Sequence, residues 1–174
     1  MKGDVLDIGG RDFFVFVGQN KKISFNTWTS LDLVGRATEF SDSRYKLVVG
    51  DGEATSFPDE SFDTILNVQV MEHTLHPQKM LEEIRRLLKP KGVAIIVVPQ
   101  TSAMHEIPTH YYNFTRSWVE RAFPEAGLQI KNIIFYLLFP FMCIYAFLGI
   151  IMGLIFSFGD LTEDPNNLII TATK

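Results

Sequence analysis

Phe57-Pro58-Asp59-Glu60-Ser61-Phe62-Asp63, then Asn67-Val68-Gln69-Val70-Met71-Glu72-His73, then Leu87-Leu88-Lys89-Pro90-Lys91-Gly92 form the stretch on which the reading of this chain turns. Residues 56–61 are rich in turn formers. Phe62–Val68 is an apolar run of strand length. Over Pro77–Leu88, Met80, Leu81, Ile84, Leu87 and Leu88 fall on one helical face, with Glu82, Glu83, Arg85 and Arg86 mostly on the other. Lys89-Pro90-Lys91-Gly92 should stop that helix, and the unbroken apolar run Val93–Val98 suits a strand buried on both faces. Strand, helix and buried strand in that order make a parallel unit with a helix on its face.

Working outward, the same alternation continues. Asp4–Ile8 reads as a short buried strand ending in Gly9-Gly10, Trp28–Leu33 contains a second strand with Asp32 at its end, and Tyr45–Val49 is a third, closed by Gly50-Asp51-Gly52. Phe13–Val17 is apolar and β-prone, and its state is open between strand and helix. Beyond the loop Gln100–Asn113, a helix is expected from about Ser117 to Ala126, with Thr115 or Arg116 near its start, followed by a strand over Leu128–Phe135 and a last β-branched strand over Leu168–Thr173. The whole of 1–174 reads as one α/β domain with a doubly wound, mostly parallel sheet.

Composition narrows the function. The net charge is −4 and no run of Lys or Arg exceeds two, which argues against a general nucleic-acid-binding surface. Cys143 is alone, so no internal disulfide is possible, and His73, His76, His105 and His110 show no metal-ligand spacing with it. The expectation is a reduced, cytoplasmic protein without a metal. Because Met1–Asp4 leads at once into the apolar Val5-Leu6, no signal peptide is expected.

The polar residues gather at strand ends, where open α/β sheets bind ligands. Asp7-Ile8-Gly9-Gly10 is either a loop bare enough for a ligand to approach or a tight turn. Asp32, with Leu33 beside it, is placed to accept the two hydroxyls of a ribose, or else caps a helix. Asp51 and the backbone of Gly52 suit an adenine edge, or else form a simple Gly-Asp-Gly turn.

Taken together, these motifs resemble the class I S-adenosylmethionine-dependent methyltransferases, in particular the small type 11 group. That group shows a proline-acid-phenylalanine-aspartate approach to strand four, a Glu-His just after it, and a Leu-Lys-Pro-Gly-Gly turn before strand five. The resemblance runs from about Val5 to Leu128, with Leu168–Thr173 fitting as the last strand. The segment from His105 to Thr115 looks like the His-x-x-Pro-x-x-Tyr-x-x-Phe-Thr stretch found after strand five in some members. The resemblance implies seven strands in the order 3-2-1-4-5-7-6, the last antiparallel, and S-adenosylmethionine as cofactor. It assigns Asp7, Gly9 and Gly10 to the cofactor loop, Asp32 to the ribose, Asp51 and Gly52 to the adenine, and Asn67 to the cofactor's methionine end. His73, His105, His110 and Tyr111 then fall where the acceptor pocket forms, the three histidines as candidates for a base; any one histidine alone reads first as a surface or loop side chain.

Some positions depart from the pattern. Arg11 stands where the second spaced glycine is usual, and the helix that precedes strand one is absent, an N-terminal abbreviation. Lys91 replaces the first glycine before strand five, a change expected to be harmless. The charges still favour a methyl donor over a dinucleotide. Asp12 would repel a pyrophosphate, whereas acids suit the donor's ammonium and Arg11 its carboxylate.

From Ile133 to Phe158 no side chain is charged. An apolar helical insertion over 133–160 is expected before the last strand. It is read as a homodimer interface or lid, as a peripheral membrane contact or lipid-pocket lining, or as a membrane span, which the return of the last strand to the sheet opposes. The function expected is methyl transfer to a small or lipid-like acceptor. The alternatives are a cofactor-binding regulatory subunit without activity and a nucleotide-dependent oxidoreductase.

Overall fold

The computed structural model describes residues 3–10, 14, 23–35, 42–101, 108–136 and 167–174. Its strands are β1 (Asp4–Ile8), β2 (Thr27–Asp32), β3 (Tyr45–Val49), β4 (Phe62–Val68), β5 (Leu88–Pro99), β6 (Gln129–Tyr136) and β7 (Asn167–Thr173). They form one sheet in the order β3-β2-β1-β4-β5-β7-β6. Neighbours from β3 to β5 run parallel, and β7 is antiparallel to both β5 and β6. This is the topology that the resemblance implies.

Period-two alternation splits the strands between two cores. Leu6, Ile8, Ile65, Ala94, Ile96 and Val98 face one side, where they meet α1 (Pro77–Leu87) and α2 (Arg116–Glu125). Val5, Trp28 and Leu66 face the other and pack with Phe14 and Phe25. Phe14, the one described residue of the ambiguous 13–17 stretch, is helical and buried. Both faces are therefore covered, which explains why β1 and β4 are almost continuously apolar.

Pro77 sits in the first turn of α1, where its missing N–H is no loss. Met80, Leu81, Ile84 and Leu87 are all buried along its inner face, each worth about 1.5–3 kcal/mol of transfer free energy. At α2 the Thr115 hydroxyl accepts the Trp118 N–H at 3.2 Å, capping the helix start.

Three boundaries differ from the sequence reading. Leu88 leaves α1 and opens β5, so Lys89–Gly92 lies within an irregular strand instead of a turn; β5 pairs Leu88 with Phe62 and then Val93 with Thr64. The slack is taken up at Lys91, whose φ is +67°. The lysine thus occupies a left-handed conformation that suits glycine, and the substitution is a strained one, not a harmless one. Finally, Ile133–Tyr136 belong to β6, so the apolar insertion expected over 133–160 can begin only at 137. Residues 137–166, which hold the rest of that block, lie outside the described residues. Among the described residues no helix is long and apolar enough to cross a membrane.

Candidate active site

The carboxyl ends of β1, β2 and β3 and the segment after β4 enclose a cleft of about 970 Å³. Asp7, Gly9, Gly10, Asp32, Leu33, Asp51 and Gly52 all line it. Its floor is bare by necessity. Gly9 has φ +67°, and a Cβ there would meet Val70 Cγ2 at 2.4 Å, while one on Gly10 would meet Asp7 Oδ2 at 2.2 Å. The Gly9 N–H donates to Leu31 O at 2.7 Å, tying the loop to β2.

The three acids are held differently. Asp7 is 1% exposed, and its Oδ2 accepts no hydrogen bond among the described residues. Burial pushes its carboxyl up to about 7, with the Trp28 indole pulling the other way. Asp32 and Asp51 each use Oδ1 to accept a backbone N–H two residues on, from Val34 at 3.3 Å and from Glu53 at 2.8 Å. Those bonds fix the carboxylates at the rim and use only Oδ1 among the described residues, and Gly50 N donates to Asp32 O at 2.9 Å, joining the two tips.

Asn67 corrects an expectation. Its side chain is fully buried and donates to Met80 Sδ at 3.1 Å, so its amide is directed at α1 and does not line the cleft. The neighbours Val68 and Gln69 line the cleft instead. Gln69 has φ +54°, and its amide donates to Asn167 Oδ1 at 2.9 Å, tying the tip of β4 to the start of β7.

On the far wall a 3-10 turn, Met71–His73, follows β4. His73 lines the cleft, and its Nδ1 lies 3.0 Å from Thr109 O. Because a carbonyl only accepts, Nδ1 carries the proton. The Tyr111 N–H donates to Glu72 O at 2.8 Å, placing Tyr111 on the same wall. His110 does not line the cleft; its ring stands edge-on to His73 with centroids 5.7 Å apart, and its Nε2 donates to Tyr112 O at 3.0 Å. It backs His73 and is withdrawn from direct contact. Arg11 and His105 lie outside the described residues.

The sequence did not single out a bridge across the mouth. Glu53 Oε1 accepts the Thr74 hydroxyl, and Glu53 Oε2 lies 3.1 Å from His76 Nδ1. These residues come from two loops far apart in the chain, so no local spacing announces them. Among the described residues no group of three or more His, Cys, Asp or Glu is disposed to hold a metal ion.

A sheet of this order, with acids on three successive strand tips and a glycine floor beneath them, defines the class I S-adenosylmethionine-dependent methyltransferase fold. Residues 17–96 match the family model described as a methyltransferase domain. S-adenosylmethionine is the cofactor of that class. The floor fits such a ligand: Asp7 lines the cleft, and its Oδ2, without a hydrogen bond among the described residues, suits a cation.

The chain is 33% identical over 100 residues to the phthiotriol/phenolphthiotriol dimycocerosates methyltransferase of Mycobacterium tuberculosis, covering 50% of this chain and 37% of that protein. It is 31% identical over 81 residues to the 2-methyl-6-phytyl-1,4-hydroquinone methyltransferase of Synechocystis, covering 45% and 26%. The chain thus spans less than half the length of these curated relatives. A solved S-adenosylmethionine-dependent methyltransferase from Archaeoglobus fulgidus superposes with a TM-score of 0.68 at 18% identity, over 98% of this chain and 86% of that one, a likeness of fold.

Proposed function

We propose that this chain transfers the methyl group of S-adenosylmethionine to a small or lipid-like acceptor. The observation that carries the reading is the convergence of Asp7, Asp32 and Asp51 on one cleft. When bound, the cofactor supplies an electrophilic methyl whose leaving group is a neutral thioether. The protein's part is to hold and to orient. Asp32 Oδ2 accepts from the ribose hydroxyls, Asp51 accepts from the adenine amino group beside the backbone of Gly52, and Asp7 with the Gly9-Gly10 floor receives the amino-acid end. His73 and Tyr111 face the acceptor, and His73, with Nδ1 protonated, offers Nε2 as the base.

The lipid-like acceptor is supported by the rim. Leu33 is 72% exposed, Val34 69%, Leu75 58% and Tyr111 44%, and all four line the cleft. An apolar rim of this kind lets a greasy acceptor leave water as it enters. The connector between β6 and β7, uncharged from 137 to 158, starts and ends at this same edge of the sheet, since Asn167 pairs with Pro99 and binds Gln69. The two named relatives act on phthiotriol/phenolphthiotriol dimycocerosates and on a phytyl hydroquinone. The same rim and connector suit a peripheral membrane contact or a second copy of the chain.

The test has two stages. Calorimetry with S-adenosylhomocysteine should give one site per chain. Methyl-labelled S-adenosylmethionine should then label a phytyl or prenyl hydroquinone in preference to the same headgroup without its tail. Absence of binding removes the reading altogether. Binding without transfer to any acceptor in a broad panel returns the regulatory alternative.

A further inference from the structure

Between the acids that take the adenosine and the wall that meets the acceptor, Glu53 makes a crossing. It follows Asp51 in the loop after β3, and its N–H donates to Asp51 Oδ1 at 2.8 Å. Its carboxylate reaches the loop after β4, where Oε1 accepts the Thr74 hydroxyl and Oε2 lies 3.1 Å from His76 Nδ1. The loop so held is bonded in turn to the segment after β5. Tyr111 N donates to Glu72 O at 2.8 Å, and Tyr112 Oη donates to Leu75 O at 3.2 Å. A continuous path of hydrogen bonds and short covalent stretches thus runs from Asp51 through Glu53 and residues 72–76 to Tyr111. We propose that Glu53 is the positioning residue of the acceptor wall: Asp51, once engaged by the cofactor, fixes Glu53, which fixes residues 72–76 and through them Tyr111. The inference rests on the methyltransferase reading above and adds to it an order of binding, the donor first and the acceptor second.

The local structure explains why such a tie is needed. The 3-10 turn Met71–His73 spans three residues, and the bond that closes it, Thr74 N to Met71 O, is long at 3.4 Å. A turn this short draws its order from external contacts. Residues 110–115, on the facing side, have no helix or strand of their own. The two segments therefore lean on each other, and Glu53 joins the pair to the adenosine side. The crossing is placed to carry order. Thr74 is buried, and the Glu53 side chain is 18% exposed, so the contact is largely shielded from water. His76 is anchored from behind, since Lys79 N donates to His76 O at 2.9 Å where α1 begins. A ligand that stiffens Asp51 and Glu53 spends the ordering entropy of the wall in advance, and the next ligand then binds at lower cost. By reciprocity the acceptor tightens the donor by the same factor. The methyl and the acceptor are aligned only in the loaded enzyme, which is where alignment accelerates transfer.

Amide hydrogen exchange, read residue by residue by NMR on the full chain with and without S-adenosylhomocysteine, tests this without an acceptor. Saturating S-adenosylhomocysteine should slow Tyr111 N–H exchange about tenfold in the unsubstituted chain and no more than about twofold in Glu53→Ala. Phe114 N, which donates instead to Pro99 O at 2.7 Å, should exchange alike in the two loaded proteins. Glu53→Gln, whose amide oxygen still accepts the Thr74 hydroxyl, should recover part of the slowing at Tyr111. A merely structural loss would speed both amides together, and that result overturns the positioning role. Equal protection of Tyr111 in a Glu53→Ala that binds overturns it too, as does an unprotected Tyr111 in an unsubstituted chain that binds. Should Glu53→Ala not fold or not bind, Thr74→Val cuts the same bond from the other loop with Asp51 and Glu53 in place, and is read by the same criteria. Failure of the unsubstituted chain to bind S-adenosylhomocysteine would instead overturn the methyltransferase reading.

Discussion

The carboxylate of Asp7 fills the space that a side chain at Gly10 would need, since a Cβ there would come within 2.2 Å of Oδ2. The strand end and the loop after it are therefore a single packed unit. In Gly10→Ala either the acid or the loop must move, and the acid is only 1% exposed. The expected outcome is a loss of about 2 kcal/mol or more in stability and a weakened affinity for S-adenosylhomocysteine, read by denaturant unfolding and calorimetry.

Asp7 also sets a pH dependence. Its carboxyl titrates near 7 in the folded chain and in the ordinary carboxylate range when unfolded. The folded state then holds a proton that the unfolded state has lost, so the contribution of Asp7 to stability is fully present at low pH and falls as pH rises through that window, by an amount on the order of a few kcal/mol. Asp7→Asn should flatten this fall. Thermal midpoints taken from pH 4 to 8 in both proteins check it; parallel curves would show that Asp7 does not titrate as placed.

Asp32 holds its backbone bond through one oxygen, so its removal should spare the fold and strike the ligand. Asp32→Ala should cost on the order of 2 kcal/mol of S-adenosylhomocysteine affinity with little change in unfolding midpoint. Equal losses in both would make it a structural residue.

Lys91 supplies a test away from the cleft. With φ at +67° the lysine is strained, and Lys91→Gly should raise stability by about 0.5–1 kcal/mol while leaving ligand affinity unchanged. A destabilised variant would mean that the lysine side chain contributes more than its backbone costs.

The bridge of Glu53 to Thr74 and His76 joins two walls of the cleft. Glu53→Gln should leave Thr74 bonded but weaken the link to His76, loosening ligand affinity less than Asp32→Ala does. Calorimetry on the two variants side by side gives the ranking.

How much of this was legible in the residues depends on the range of the interaction. The strands Asp4–Ile8 and Phe62–Val68 match their apolar runs, because burial on both faces leaves an uninterrupted signal, and Tyr45–Val49, a partly exposed edge strand, is marked instead by its β-prone residues and the Gly-Asp-Gly that closes it. The acids at strand tips were readable because topology alone places them on one edge. The direction of Asn67 was not: a strand residue points to one face or the other, and only packing against Met80 fixes which. Leu88–Gly92 looked like a turn because proline and glycine punctuate it, yet pairing with β4 draws it into the sheet. The Glu53 bridge depends on partners contributed by a different loop and does not follow from spacing.

The position of β7 between β5 and β6 has a consequence for synthesis. As the polypeptide emerges from a ribosome, β5 is made long before the strand that covers its open side. Until then the edge carrying Ile96 and Val98 offers unsatisfied amides and carbonyls to any neighbour, a natural target for holding chaperones and a point of vulnerability at high expression.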